Sequence, residues 1–249
     1  MKTLAGMLVL GMAVLWTGAA HPADPASDNK IVGKPMHVVL IGASIGQEWN
    51  LPELPGRLRF SGYEFEALQA WQFDKSEKVD ETLIRPARKF HLTPSYFKGF
   101  FRDSPKPADV VILKECASYF PEDTSREQKQ KLLMQWVREV REKNIKVMVA
   151  TVVPVTKKLE ASEPAQQRSL LAYNDWLRDY ARKESIPVLD LEAALRPNER
   201  ERYLPEDLSI GDGKHLNRKA YDILDGVMAQ TLCRAFPSDT CSQVRVSAR

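Results

Sequence analysis

The sequence predicts an α/β fold, a three-layer α/β/α sandwich built on a parallel sheet of about five strands. Short apolar segments alternate with long amphipathic segments along the chain. Several of the short segments are nearly continuous Val, Ile, Leu and Met, which is typical of strands that helices cover on both faces. Repeated strand–helix–strand units form right-handed crossovers and hence a parallel sheet. The chain has 249 residues, of which 43% are hydrophobic, and this suffices for one such core.

Five apolar segments are the predicted strands. The first, third and fourth are continuous apolar runs, whereas the second alternates with polar residues and is the candidate for an edge. The five segments are Met36–Gly42, Phe65–Trp71, Asp109–Lys114, Ile145–Thr151 and Ile186–Leu191.

Three long segments repeat apolar residues at helical spacing and predict the major helices. They are Ser125–Asn144, Pro164–Ser185 and Leu216–Phe236. The first begins with a capping-box pattern, Ser125 followed by Gln128.

One segment, Arg85–Pro107, interrupts this alternation. It is rich in proline, phenylalanine and basic residues. It could be a lid or an acyl-accommodating wall beside a binding site, or an insertion of helix and loop whose aromatic side chains pack on the core.

The first twenty residues have the pattern of a signal peptide. Lys2 supplies a positive charge, Leu4–Trp16 is apolar, and small residues precede a predicted cleavage after Ala20. The apolar run is shorter than the roughly 18 residues of a spanning helix, although an uncleaved membrane anchor is the alternative. Residues 21–35 then form a flexible lead-in, and residues 36–249 form a single domain. We therefore expect a periplasmic or secreted protein without stable membrane insertion after cleavage.

The cysteines and the charge narrow the choice of partners. Cys233 and Cys241 flank a short tail and could close a disulfide in an oxidising compartment, or remain two free thiols. Cys116 is then unpaired. The net charge of +3 is small for the length, and no basic stripe favours nucleic acid as a partner. No cysteine or histidine spacing indicates a metal site, and no phosphate-binding loop is present.

Two short stretches carry the chemistry. In GASIG, Ser44 is the second residue after the first predicted strand. It is either the cap of a helix or a nucleophile at the rim of the sheet. In DGKHLN, Asp212 stands three residues before His215 at the start of the last helix. A carboxylate there can orient the imidazole, and an oriented imidazole can activate a serine. The alternative is a loop-to-helix cap with a surface histidine.

GASIG after the first strand, with DGKHLN before the last helix, resembles the SGNH/GDSL family of serine esterases and lipases. Three other stretches agree in order and spacing, and the resemblance extends from Met36 to Leu232. The stretches are ATVVPV at 150–155, YNDWL at 173–177 and VLDL at 188–191. The resemblance implies a flavodoxin-like SGNH fold.

The resemblance also implies the roles of individual residues. Ser44 matches the nucleophile, His215 the base and Asp212 the acid that orients it. The chain departs from the family's Gly-Asp-Ser turn, because Ala43 replaces the aspartate, a position outside the triad.

A second departure concerns the oxyanion hole. The family uses the N–H of the nucleophile, a glycine N–H after the second strand and an asparagine side chain after the third. Here the Ser44 N–H is available by position, and a backbone N–H of Lys75 or Ser76 could replace the glycine. The asparagine position falls on or near Cys116, whose thiol is a weaker donor than an amide.

Loss of one oxyanion donor typically lowers turnover on the order of 100- to 1000-fold. The hole could be rebuilt from Lys114, Ser118 or backbone amides, the activity could be weak, or the scaffold could bind a ligand without hydrolysing it. Lys114 and Glu115 could also simply pair with each other. Cys116 as the nucleophile itself is a minor alternative.

These observations predict an exported serine ester hydrolase that acts through an acyl-serine intermediate, without a metal or organic cofactor. Its partner would be a small-molecule or glycan ester, either a glycan O-acyl group or a lipid ester. The alternatives are an O-acyltransferase on the same triad and a non-catalytic envelope binding protein. The sequence leaves the oligomeric state open.

Overall fold

A five-stranded parallel sheet organises residues 34–69 and 108–243, the parts of the chain that the computed structural model describes. The strand order is β2-β1-β3-β4-β5, and every neighbouring pair is parallel. The predicted α/β fold is therefore confirmed, as is the edge position of the second strand. The strands are β1 (Met36–Gly42), β2 (Tyr63–Gln69), β3 (Val110–Lys114), β4 (Lys146–Ala150) and β5 (Val188–Leu189).

Helices connect and cover these strands. The three long ones agree with the three predicted amphipathic segments, and short helical turns lie between the other elements. The helices are α1 (Ser44–Glu48), α2 (Leu54–Leu58), α3 (Asp123–Glu142), α4 (Lys157–Ser162), α5 (Pro164–Lys183), α6 (Leu191–Leu195) and α7 (Arg218–Ala235).

Two apolar cores lie on opposite faces of the sheet, because successive side chains of a strand point to opposite sides. Val38 and Leu40 of β1 face the core that α7 covers with Leu224. Val39 and Ile41 face the other core, which α3 and α5 cover. The three layers of the predicted sandwich follow from this division.

The last strand is shorter than predicted. Of the expected Ile186–Leu191, only Val188 and Leu189 pair with β4. Pro187 has no N–H to donate to a ladder, and Asp190 is already the N-cap of α6, with its carboxylate accepting the N–H of Ala193. The second strand begins two residues earlier than predicted, at Tyr63, and its predicted end at Trp71 lies outside the described residues.

The predicted capping box on α3 is wrong. The helix begins at Asp123 and its N-cap is Glu122, which makes no capping hydrogen bond through its side chain. Ser125 is therefore the third helical residue, too far into the first turn to act as the cap. The last long helix is capped as its sequence suggests, since the Asn217 side chain accepts the N–H of Ala220 at 3.2 Å.

A disulfide joins Cys233 in α7 to Cys241, with their Cα atoms 5.5 Å apart. This confirms the predicted bridge and excludes two free thiols. The loop that it closes packs on Gly62, just before β2, where an added Cβ would collide with Ser238 and Thr240. Within the described residues, each helix is too short or too polar to cross a lipid bilayer.

Candidate active site

Ser44 lies where β1 ends and α1 begins. Ala43 is the N-cap of that helix, and its backbone is extended (φ −111°). Ser44 is thus the first helical residue, and its hydroxyl is not the cap. Instead, Ser44 Oγ lies 2.9 Å from His215 Nε2, across 171 residues of sequence. The helix-cap interpretation of Ser44 is therefore wrong.

The small residues around Ser44 have a packing reason. A Cβ on Gly42 would lie 3.2 Å from Leu40 Cδ2 and 3.4 Å from the Lys114 carbonyl oxygen. A Cβ on Gly46 would lie only 2.6 Å from the same Leu40 atom. The glycines let α1 turn back closely over β1, and this turn brings the serine to the carboxyl edge of the sheet.

His215 is held between Ser44 and Asp212. Its Nδ1 bonds Asp212 Oδ2, and its Nε2 faces the serine hydroxyl. Because an ionised carboxylate only accepts hydrogen bonds, the contact with Asp212 favours the tautomer with the proton on Nδ1. The free Nε2 can then accept a hydrogen bond from the Ser44 hydroxyl. This is the orientation of acid, imidazole and hydroxyl that nucleophilic catalysis requires.

The carboxylate of Asp212 is also fixed by the backbone. Its Oδ1 accepts the N–H of Lys214 at 3.0 Å and that of His215 at 2.9 Å. Burial acts to raise the pKa of Asp212, but these hydrogen bonds and the imidazole outweigh it and lower the pKa to about 2. Asp212 is therefore ionised across the whole range in which the imidazole can act as a base.

Two residues that the sequence analysis did not single out hold this loop. Ser209 Oγ accepts the N–H of Gly211 at 3.1 Å and that of Gly213 at 3.2 Å. The N–H of Thr156 donates to the carbonyl oxygen of Gly213 at 3.0 Å. Serine before a glycine-rich turn is a known turn pattern, so the role of Ser209 could have been predicted from the sequence. The role of Thr156 could not, because its contact with Gly213 joins residues distant in sequence.

Cys116 lies two residues past the end of β3, the strand next to β1, just as Ser44 lies two residues past the end of β1. The parallel pairing places Ile41 opposite Leu113, and Ser44 and Cys116 each follow three residues later. Cys116 Sγ lies 3.2 Å from Ser118 Oγ, so two weak or neutral donors adjoin each other there. Lys75 and Ser76, the candidates for the second oxyanion donor, lie outside the described residues.

Lys114 and Glu115 are buried at the end of β3, each 2% exposed. The ammonium of Lys114 donates to the backbone carbonyl oxygen of Glu115 at 2.9 Å. Burial lowers the pKa of Lys114 and raises that of Glu115, whose carboxylate also feels the charge of Lys129. The expected pairing of these neighbours thus includes a backbone carbonyl, and Lys114 is held within the protein interior.

Within the described residues, no group of three or more His, Cys, Asp and Glu side chains is arranged to hold a metal ion.

Comparison with known proteins agrees with this geometry. The GDSL-like Lipase/Acylhydrolase family matches residues 76–223. The matched range includes Asp212 and His215 but begins after Ser44. The place of Ser44 in the candidate site therefore depends on its contact with His215. No curated protein matches the chain.

Solved structures are similar in fold at low sequence identity. A GDSL-like lipase from Bacteroides thetaiotaomicron is 17% identical and has a TM-score of 0.57, with 85% of this chain and 96% of that one covered. An acetyl xylan esterase is 16% identical at a TM-score of 0.53, with coverages of 79% and 100%. A lipolytic protein of the G-D-S-L family from Veillonella parvula is 12% identical at 0.51, with coverages of 81% and 98%.

Proposed function

The chain belongs to the GDSL-like lipase/acylhydrolase family, whose match covers more than half of it, and on this premise we propose that it is a serine ester hydrolase. One observation carries the proposal. Ser44 Oγ, the imidazole of His215 and the carboxylate of Asp212 form a continuous hydrogen-bonded chain. A serine outside such a chain is a poor nucleophile at neutral pH.

The proposed reaction is acyl transfer to water. His215 Nε2 takes the proton of Ser44 as Oγ attacks the ester carbonyl, and Asp212 stabilises the imidazolium. Collapse of the tetrahedral intermediate releases the alcohol, which takes the proton back from His215. A water molecule then attacks the acyl-serine, again with His215 as the base, and the carboxylic acid leaves with Ser44 restored.

The negative charge on the substrate oxygen needs donors. The N–H of Ser44 is one, because the first N–H groups of a helix have no acceptor within the helix. The Cys116–Ser118 pair, just after the neighbouring strand β3, is the proposed side-chain part, and the thiol makes it a weak one. Lys75 and Ser76 remain the proposed backbone part. We expect slow turnover for this reason.

The proposed substrate is a small acyl ester, either an O-acyl group on a glycan or a lipid ester. An acetyl xylan esterase among the structural neighbours supports the first. Export is proposed with it, because the Cys233–Cys241 disulfide requires an oxidising compartment to persist.

An aryl acetate assay tests the proposal. The mature protein should hydrolyse 4-nitrophenyl acetate and react with a fluorophosphonate at Ser44. Ser44→Ala should lose at least about 10⁴-fold in kcat and all labelling. Ser125→Ala, a serine on α3, is the matched control and should retain both. Equal rates for the wild type and Ser44→Ala would refute the nucleophile.

A non-catalytic binding protein is the second candidate, and Cys116 in place of a strong donor favours it. It predicts neither turnover nor labelling in the wild type. An O-acyltransferase differs from both, because its acyl-serine would accumulate and clear only after a sugar acceptor is added.

A further inference from the structure

A cavity of about 410 Å³ lies next to the candidate triad. One side is Lys214, which stands between Asp212 and His215 in the chain, and another is Ser118, which bonds Cys116. Its volume is within the range of small-molecule pockets, roughly 300–1,000 Å³. The lining includes Ser118, Pro121, Ser162, Pro164, Gln166 and Lys214.

Gln166 is the unusual member of this lining. Its side chain is 5% exposed, yet its Oε1 is buried without a hydrogen-bond partner among the described residues. The adjacent Gln167 is the contrast, since its Oε1 accepts the N–H of Val155 at 3.1 Å and its Nε2 donates to the backbone carbonyl oxygen of Arg202 at 2.6 Å. Buried polar groups are normally paired. Gln167 therefore supports the fold, while Gln166 has capacity left for a ligand.

The other residues that line the cavity indicate the chemical class of the ligand. Ser118 and Ser162 bring hydroxyl groups, and the charge of Lys214 is balanced by Glu163 at 3.3 Å. Pro121 and Pro164 add rigid apolar surfaces. Short hydroxyl and amide groups beside flat apolar surfaces suit a neutral molecule with several hydroxyl groups and a ring of C–H bonds.

An acyl chain is a poor fit for the same cavity. It offers no donor to Gln166 Oε1, so its binding would leave the amide buried without a partner at a cost in free energy. Gln166 Oε1 is closed off from solvent in this structure, so a sugar hydroxyl can donate to it once the amide turns about its terminal torsion, which has a broad minimum.

We propose that this cavity binds the alcohol half of the ester and that this half is a sugar unit, with a sugar hydroxyl donating to Gln166 Oε1. The inference rests on the proposed esterase function and specifies its substrate class. Gln166 is then a residue that determines specificity, distinct from the groups that move protons.

Two acetates of matched shape test this. Methyl 6-O-acetyl-glucopyranoside and cyclohexylmethyl acetate both carry a primary acetate on a six-membered ring, and only the first has ring hydroxyls. The wild type should favour the sugar ester in kcat/KM. Gln166→Met keeps the side-chain volume and should lower this preference about three- to tenfold, mainly through KM, which is the worth of one neutral hydrogen bond.

Two controls separate binding from folding. Gln128→Met, on the exposed surface of α3, should leave the preference unchanged. The Tm of Gln166→Met should equal or exceed that of the wild type, because the substitution removes a buried unpaired amide. A purely structural role for Gln166 would lower Tm and reduce turnover of both acetates equally.

The outcomes distinguish this inference from the proposed function. A wild type that hydrolyses both acetates without preference, or a preference that Gln166→Met leaves intact, overturns the sugar site alone. If the wild type hydrolyses neither and takes no fluorophosphonate, the esterase fails. Saturation-transfer NMR with methyl glucopyranoside then decides the site: binding that Gln166→Met weakens supports it, and no binding, or binding that Gln166→Met leaves unchanged, overturns it.

Discussion

Gly213→Ala should displace the loop that carries Asp212 and His215 from the residues that support it. Gly213 has a φ of +80°, a region that costs a residue with a Cβ about 1–2 kcal/mol. The new Cβ would also lie 2.9 Å from Leu159 Cβ and 3.0 Å from Thr156 Oγ1. Relief of such an overlap typically costs a further ~1–3 kcal/mol. We expect a loss of about 2–5 kcal/mol in the free energy of unfolding.

Substitutions at two other glycines separate the two parts of this loss of unfolding free energy, the conformational part and the overlap part. Gly211 has a φ of +103° and open space where a Cβ would be added, so Gly211→Ala should lose only the conformational part, about 1–2 kcal/mol. Gly56, within α2, has neither constraint, and Gly56→Ala should be neutral or stabilise by up to about 1 kcal/mol. At about 2–4 °C per kcal/mol for a chain of this size, the three variants should order clearly in Tm.

Activity should follow the loop rather than global stability. Gly213 stands between Asp212 and His215 in the chain, and its carbonyl oxygen accepts the N–H of Thr156. A shift of about 1 Å in a catalytic group costs on the order of 100-fold. In Gly213→Ala, kcat/KM for 4-nitrophenyl acetate should therefore fall by about that factor at temperatures where the variant is folded. Equal Tm and equal activity in Gly213→Ala and Gly211→Ala would refute the argument from the contact with Leu159.

Three further predictions follow from the site and the tail. Cys116→Asn supplies an amide donor and should raise kcat by at least about tenfold, measured on 4-nitrophenyl acetate; an unchanged kcat would mean that another group already fills that position. Replacing Cys233 and Cys241 by serine should cost about 2.5 kcal/mol in denaturant unfolding, from the entropy of a loop with a sequence separation of 8, with kcat retained at 25 °C; no loss would contradict a stabilising bridge. Because the pKa of Asp212 falls from its usual 3.8 to about 2, its ionised form stabilises the fold above pH ~4 and this stability is lost as pH falls through 2. The wild type should thus exceed Asp212→Asn in unfolding free energy at pH 5, and the gap should close towards pH 2; a constant gap would contradict the lowered pKa.

The sequence predicted the sheet and the two stretches of the candidate triad, GASIG and DGKHLN, because each is recognisable from neighbouring residues alone. Continuous apolar runs mark strands covered on both sides, and DGKHLN holds acid and base within four residues. The features that it missed depend on contacts across the fold. The short β5 depends on which residues stand opposite β4, and Gln166 differs from Gln167 only in what lies around each amide. No periodicity separates those two neighbours.

The candidate triad is divided between one compact turn, which holds Asp212 and His215, and the distant hydroxyl of Ser44. This division determines which contact is lost first when the turn moves. Asp212 bonds both the ring and the backbone N–H of His215, so one short turn holds the acid and the imidazole together. Ser44, in contrast, is attached to the sheet at the end of β1. A fluctuation that lifts the turn away from Thr156 would disconnect nucleophile from base without disturbing the acid–imidazole contact. If the proposed chemistry holds, the hydrogen bonds that fix this turn, those of Ser209 and Thr156 among them, should affect the rate without contacting the substrate.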